Sequence, residues 1–246
     1  MKIKLINPNT TQSMTDGIQR VAEQAASPGT CVYSVSPKHG PACIEGYADQ
    51  AIAVPGLLEE IIKGDVEEGA DAYVVACFAD PGINAARQVT DKPVIGISQA
   101  AMTAIRFLAP NFTVMGNEDG GEEYMFEMLH RNGSERFYKS SRYVGMSIME
   151  VEENPEKALK ALTEQCRLAI EEDHAEGVIL GCAGFVPFAE ELKKIFPIPI
   201  LDGVSPAVKI AEMMVYLNQK TSKVASWAYP PAKEVPGYDY IKPAQR

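Results

Sequence analysis

Two cysteines, Cys77 and Cys182, are the residues of this 246-residue chain that are best suited to chemistry. Each follows an apolar run typical of a buried strand, Ala72–Ala76 in the first case and Gly177–Gly181 in the second. Small residues follow both cysteines, which are 105 positions apart. A duplicated strand–cysteine unit can place two thiols on opposite sides of a cleft. Two opposed acid/base groups can take a proton from one face of a carbon and return it to the other.

A second matched pair supports the duplication, since Pro93 and Pro199 precede similar short strands and are 106 residues apart. Strands alternate with helices throughout the chain, which predicts parallel sheets flanked by helices. We therefore expect an α/β protein of two pseudo-symmetric domains with the active site in the cleft between them. The expected first domain comprises residues 1–98 plus about 206–246, and the expected second domain comprises residues 99–205.

The carboxyl ends of parallel strands are where ligands bind in such sheets. Asn9, Cys77, Gly116 and Cys182 fall at predicted strand ends. We expect a helix to start after each cysteine, so that its free N–H groups and positive dipole end stabilise a thiolate and a developing enolate oxygen.

The composition of the chain argues against several classes of protein. The net charge of −10 disfavours nucleic acid or an anionic membrane as partner. The N-terminal residues lack the apolar core of a signal peptide, and no run reaches the length of a membrane helix. The five cysteines are an odd number, which favours free thiols in a reducing cytoplasm.

Several local patterns predict individual elements. Thr15 or Asp16 is expected to cap a helix that runs to about Ala26, and a helix is expected over Pro81–Val89. Cys166 lies between apolar positions of another predicted helix, so we expect it in the core. The proline-rich segment from Trp227 onward predicts an extended, irregular arm.

Polar and glycine-rich turns are further candidates. Residues 7–11, Asn-Pro-Asn-Thr-Thr, suit either a helix-capping turn or a site where Asn9 and Thr10 hold polar substrate groups. Residues 41–46 suit either a surface turn or a loop over the cleft. The segment 116–121 has the wrong glycine spacing and two acids, which excludes a nucleotide site. The three histidines lack metal-ligand spacing, and no lysine has a recognisable pyridoxal-phosphate context.

Four motifs together resemble the hydantoin racemases of the aspartate/glutamate racemase superfamily, to which allantoin racemase is closely related. They are Ile6-Asn7-Pro8-Asn9-Thr10, Gly40-Pro41 with Ile44-Glu45-Gly46, Ala76-Cys77-Phe78-Ala79-Asp80-Pro81-Gly82, and Gly181-Cys182-Ala183-Gly184. The resemblance covers nearly the whole chain. Two segments depart from it, because Gly116-Asn117 replaces a hydroxyl-rich run and Cys43 stands where serine is expected.

The resemblance implies racemisation of a cyclic ureide without metal or cofactor, with Cys77 and Cys182 as the two acid/base residues. It implies that Asn9 and the backbone N–H groups after each cysteine hold the ring carbonyls. The substrate-binding residues expected on this basis are Pro8, Asn9, Thr10, Ile44, Phe78, Ala79, Gly116, Asn117, Ala183 and Gly184. We also expect a homo-oligomer.

Alternatives remain open within and outside the superfamily. An amino-acid racemase or a maleate-type cis–trans isomerase would use the same fold, whereas paired cysteines disfavour an arylmalonate decarboxylase. A two-lobed binding or sensor protein would use the cleft without turnover. The acidic pair Glu118-Asp119 favours a neutral ureide over a free amino acid, because it would repel a carboxylate.

Overall fold

The computed structural model describes residues 1–118 and 122–238, and in it the chain forms two compact units. The first unit comprises Met1–Ile97 with the segment from Ala207 onward, and the second comprises Ser98–Pro206. Each unit contains one four-stranded sheet in which every paired strand is parallel. The predicted α/β fold with two such sheets is therefore confirmed.

The sheet of the first unit has the strand order β2-β1-β3-β4. Its elements are β1 (Lys2–Ile6), α1 (Gln12–Ala25), β2 (Cys31–Val35), α2 (Tyr47–Lys63) with a π-helical turn (Gly64–Glu68), β3 (Ala72–Val75), α3 (Ile83–Val89) and β4 (Val94–Gly96). All four residues of β3 are buried, as expected for an interior strand of a parallel sheet.

The sheet of the second unit has the equivalent order β6-β5-β7-β8. Its elements are α4 (Ile97–Ala104) with a 3-10 turn (Ile105–Phe107), β5 (Phe112–Gly116), α5 (Glu122–Arg131), a 3-10 turn (Glu135–Phe137), β6 (Tyr138–Tyr143), α6 (Ile148–Glu153), α7 (Pro155–Glu171), β7 (Val178–Leu180), a 3-10 helix (Ala183–Phe188), α8 (Ala189–Ile195) and β8 (Ile200–Leu201). The chain then forms α9 (Val204–Tyr216) and a final 3-10 turn (Ala225–Trp227).

Two element boundaries differ from the sequence-based expectation. The prediction of Thr15 or Asp16 as a cap was wrong, because α1 begins at Gln12 after Thr11 and the Thr15 hydroxyl is buried against Ser36. Helix α3 begins at Ile83 instead of Pro81. Cys166 is fully buried in α7, as expected.

Two elements of the second unit were not predicted. Strand β6 has the polar sequence Tyr-Lys-Ser-Ser-Arg-Tyr and lies at the sheet edge, so it lacks the apolar run that marks an interior strand. Helix α6 has only six residues. Its signal was present, since Ser147 and Glu150 form a capping box at its start.

Some expectations fall on residues outside the described ranges. Asp119, Gly120 and Gly121 of the acidic loop belong to this group, as does the end of the proline-rich arm from residue 239, including Pro243. Within the described ranges, no helix is long and apolar enough to cross a membrane.

Candidate active site

Cys77 lies at the carboxyl end of β3, the strand next to β1 in the first sheet. The ladder continues past the strand, since the Ala76 N–H donates to the Ile6 carbonyl at 2.8 Å. The loop then turns back at once, with the Asp80 N–H donating to the Cys77 carbonyl at 2.9 Å. Phe78 and Ala79 are buried within this loop. Cys77 is therefore held at the edge where the sheet topology places ligands.

The buried Asp80 helps to hold the loop that contains Cys77. It is 1 % exposed and has a positive φ of 47°, which is uncommon for a residue with a side chain. A methyl group at Gly96 would come within 2.3 Å of the Asp80 carboxyl carbon, so the carboxyl packs on the bare backbone at the end of β4. The Cys77 loop thus depends on a glycine in the neighbouring strand.

The expected helix start after Cys77 is not found. The residues after the cysteine form a turn, and α3 begins only at Ile83, capped by Gly82 with a φ of 64°. The N–H groups closest to Cys77 in sequence therefore belong to the turn and not to a helix end.

Asn9 is held within its own turn. Its Oδ1 accepts from Asn7 Nδ2 at 2.8 Å and from the Thr11 N–H at 3.0 Å, while its Nδ2 donates to Met14 Sδ at 3.3 Å. These bonds are those of a turn leading into α1, whose flanking residue is Thr11. The role of Asn9 toward a ligand remains a prediction.

The structure brings the loop of residues 41–46 beside this turn. The Thr10 N–H donates to the Pro41 carbonyl at 2.9 Å, and the Thr11 hydroxyl donates to the Ala42 carbonyl at 2.6 Å. These bonds hold the start of the loop beside the turn that contains Pro8 and Thr10, and Ile44, two residues after Ala42, is half-buried. The first-unit candidates therefore form two groups, the paired turns and the Cys77 loop.

Cys182 occupies the equivalent place in the second unit and is the N-cap of the 3-10 helix Ala183–Phe188. The Gly184 N–H donates to Cys182 Sγ at 3.3 Å. Here the expectation of a helix start at the cysteine is met, although the helix is of the 3-10 type. The second-unit candidates Ala183 and Gly184 lie in this first turn.

Burial raises the pKa of the Cys182 thiol from 9.0 to about 11. The N–H groups of Gly184 and Phe185 oppose this rise in pKa, the carboxylate of Glu152 adds to it, and the Asn117 amide lowers it. The side chain is 9 % exposed. Cys182 therefore rests as a neutral thiol at neutral pH.

Gly116 and Asn117 lie at the end of β5, the strand beside β7. A methyl group at Gly116 would come within 2.7 Å of the Tyr143 ring, so the glycine lets that ring pack on the strand end. The Asn117 carbonyl accepts from the Gly145 N–H at 2.9 Å. Both residues thus lie at the same edge of the second sheet as Cys182.

Glu152 influences Cys182 electrostatically and was not predicted from the sequence. It lies on α6, the short helix that was not predicted, and its carboxylate raises the pKa of Cys182. The Ser147–Glu150 capping box could have located the helix, but nothing in the sequence places it against Cys182.

No group of three or more His, Cys, Asp and Glu side chains is arranged to hold a metal ion within residues 1–118 and 122–238. His130, for example, is exposed and bound to Glu135 through Nδ1 at 2.7 Å. The five cysteines are all free thiols.

Comparison with known proteins places this arrangement in a family. The family model described as Asp/Glu/Hydantoin racemase matches residues 3–211. The chain is 44% identical over 237 residues to a hydantoin racemase of Pseudomonas sp. (strain NS671), with 96% of this chain and 95% of the relative covered. It is 40% identical to a hydantoin racemase of Rhizobium meliloti, covering 97% of this chain and 98% of the relative.

A solved structure gives the same result at the level of the fold. The allantoin racemase from Klebsiella pneumoniae superposes with a TM-score of 0.95 and 35% sequence identity, covering 99% of both chains. The chain therefore belongs to the Asp/Glu/hydantoin racemase family and is an isomerase of the racemase type.

Proposed function

We propose that this racemase inverts the stereocentre of a 5-substituted hydantoin or a related cyclic ureide such as allantoin, using Cys77 and Cys182 as its two acid/base residues and no cofactor. The observation that carries the proposal is the equivalence of the two cysteines. Each follows the strand that lies third in its sheet, β3 in the order β2-β1-β3-β4 and β7 in the order β6-β5-β7-β8.

The chemistry requires one thiolate and one thiol. The thiolate takes the proton from the ring carbon, and the electron pair of the broken C–H bond moves onto the carbonyl oxygen. The thiol then protonates the opposite face of the carbon. Positioned acid/base groups of this kind contribute about 10²–10⁴-fold in rate. The two thiols exchange roles when the opposite enantiomer reacts.

The raised pKa of Cys182 determines whether this residue is an acid or a base in the free enzyme. Because burial keeps it protonated at neutral pH, Cys182 is ready to act as the acid. The enantiomer that needs Cys77 as base meets the enzyme in this state, whereas its mirror image needs Cys182 to lose its proton first. The proposal therefore includes two protonation states of the enzyme, one for each enantiomer.

The substrate class is argued from the relatives and from charge. The similar proteins are named for hydantoin and for allantoin, both neutral cyclic ureides. The motifs that carry the two cysteines contain no lysine or arginine to pair with a carboxylate, and Glu118 follows Asn117 at the end of β5. These features favour a neutral ring over a free amino acid.

The test is turnover measured by optical rotation. Pure enantiomers of several 5-substituted hydantoins and of allantoin are compared with L-aspartate and L-glutamate, and an enzyme-free sample corrects for spontaneous racemisation. We expect loss of rotation for at least one ureide and none for the amino acids. Faster racemisation of aspartate or glutamate than of any ureide would contradict the proposal.

A further inference from the structure

The strand register places Asn117 beside Cys182. In the β5–β7 ladder Met115 pairs with Leu180, and the Gly181 N–H donates to the Met115 carbonyl at 2.8 Å. Two residues farther along the chain, just past the ends of the two strands, are Asn117 and Cys182. The two side chains are thus neighbours across adjacent parallel strands, at the edge where ligands bind.

The amide nitrogen of Asn117 is a buried donor without an acceptor. Its Nδ2 is shielded from solvent and has no hydrogen-bond partner among the described residues. It lies close enough to the Cys182 sulfur to lower the thiol pKa, but it forms no well-aligned hydrogen bond to the neutral thiol. Buried polar groups are usually satisfied, so an unsatisfied donor beside a reactive sulfur calls for a functional explanation.

At the equivalent position the first unit has a proline in place of this donor. There Ile6 pairs with Val75, and the Ala76 N–H donates to the Ile6 carbonyl at 2.8 Å. Two residues farther along are Pro8 and Cys77. Proline has neither a side-chain donor nor a backbone N–H. The duplicated fold therefore places chemically different residues beside its two cysteines.

We propose that Asn117 is a positioning residue whose Nδ2 is reserved for the thiolate form of Cys182. The proposal rests on the role of Cys182 as an acid/base residue. When Cys182 loses its proton, the sulfur becomes a strong acceptor and the amide bonds to it beside the Gly184 N–H. When the thiolate takes a proton from the substrate carbon, an S–H bond forms, the C–H electron pair stays with the substrate, and the amide bond weakens.

The Asn117 donor is needed because the other surroundings of Cys182 disfavour the negative charge of its thiolate. Burial raises its pKa, and Glu152 on α6 adds a negative field. The other acids of α6, Glu150 and Glu153, are exposed, and Glu150 is bound by Ser147. Arg142 on β6 offers no relief, since it is paired with Glu172 and Asp173. Asn117 thus supplies part of the stabilisation that lets Cys182 serve as a base.

The test measures the protonation of Cys182 without any substrate. Iodoacetamide labels the protein in short pulses from pH 7 to pH 11, and mass spectrometry follows the peptide that contains Cys182. Asn117→Leu removes the donor and should move the labelling profile of Cys182 upward by about one pH unit, or about tenfold slower labelling at a fixed pH. Asn117→Thr keeps a donor and should leave the profile close to that of the wild type.

Two controls separate a local effect from a general one. Cys31 is exposed, and its labelling in the same samples should not change. Asn111→Leu alters an asparagine before the other end of β5, where the side chain bonds Glu176, and should leave the Cys182 profile unchanged. If Asn117→Leu does not fold, Asn117→Asp keeps the side-chain shape and should raise the pKa further, because it adds a second negative charge.

An unchanged labelling profile of Cys182 in both Asn117→Leu and Asn117→Asp overturns the proposal. This holds even if these substitutions raise KM, because a higher KM with an unchanged profile would mean that Asn117 acts on the substrate alone. A shifted profile in a protein that racemises no ureide would leave this inference standing and refute the proposed function. The two failures are therefore distinguishable.

Discussion

At the scale of single residues, the two cysteines are equivalent in sequence but not in surroundings. Cys182 is a deeply buried thiol whose pKa is raised by burial and by the negative charge of Glu152, and it caps a 3-10 helix. Cys77 is half-buried in a turn held by Asp80. In the proposed mechanism each enantiomer needs a different cysteine as base, so this difference in surroundings would affect the two proton transfers differently.

Under the proposed mechanism, the raised pKa of Cys182 predicts how proton abstraction by this cysteine depends on pH. In Cys77→Ser, the exchange of deuterium into the enantiomer that faces Cys182 should rise about tenfold per pH unit from pH 7 and continue to rise beyond pH 10, because the thiolate fraction grows until the pKa of about 11. Proton NMR at low substrate concentration measures this rate, since those conditions report on the free enzyme.

Exchange is the correct readout here because racemisation has an equilibrium constant of one. The two enantiomers must therefore show equal kcat/KM at every pH, whatever the individual thiol pKa values are. The variant that lacks both cysteines gives the spontaneous exchange to subtract. A plateau that begins near pH 9 would mean that Cys182 titrates as an ordinary thiol.

Sequence predicted the cysteines but not their electrostatics. The repeated strand–Cys pattern correctly predicted that Cys77 and Cys182 follow equivalent strands, because short apolar runs mark buried strands, and their catalytic role stays a prediction. Glu152 and Asp80 could not be assigned, since each acts through a contact between elements that are far apart in the chain. Such contacts depend on packing, which a single sequence does not display.

At the scale of elements, the Cys77 loop depends on the end of β4. Gly96→Ala should destabilise the protein by about 1–3 kcal/mol and lower racemase activity, because its methyl group would come within 2.3 Å of the buried Asp80 carboxyl. Urea unfolding followed by circular dichroism and the rotation assay measure the two effects.

Gly17→Ala is the matched control for this substitution. Gly17 lies in α1, where the nearest atom to an added methyl group is Arg20 Nη2 at 3.8 Å. Alanine is the better helix former, so this variant should be more stable by up to about 1 kcal/mol and equally active. If both variants were equally stable and active, Asp80 would not be held by Gly96 as described.

The C-terminal arm braces the helix that follows the Cys77 loop. The Arg87 guanidinium lies 4.9 Å from the Trp227 ring centroid, and Trp227 Nε1 donates to Asn84 Oδ1 at 3.3 Å. Gln88 Nε2 donates to the Ser226 carbonyl at 3.0 Å. Asn84, Arg87 and Gln88 all belong to α3, so the arm fixes the exposed side of this short helix. The sequence predicted an irregular arm but gave no sign of what it covers.

Element prediction succeeded where burial is strong and failed where it is weak. Strands β3 and β7 are fully buried and were evident as apolar runs. Edge strand β6 and the six-residue helix α6 were missed, because partial burial leaves a mixed polar pattern. The predicted cap of α1 was wrong, since Thr15 is a buried residue within the helix and Thr11 is the residue that precedes it.

At the scale of the whole molecule, duplication explains why a symmetric task can be done by one chain. The two sheets share one strand order, and each carries its cysteine after the equivalent strand. Racemisation is nearly symmetric, since substrate and product are mirror images. Two residues past the last pair of each ladder, Pro8 lies opposite Cys77 and Asn117 lies opposite Cys182, so the two halves differ beside the proposed acid/base residues.

The central claim is that each cysteine serves one face of the substrate carbon. The direct measurement is proton NMR in D₂O of each pure enantiomer with Cys77→Ser and with Cys182→Ser. Neither variant should racemise, but each should exchange deuterium into one enantiomer with retention of configuration, and the two variants should prefer opposite enantiomers. Racemisation by either single variant, or the same preference in both, would contradict the two-cysteine mechanism.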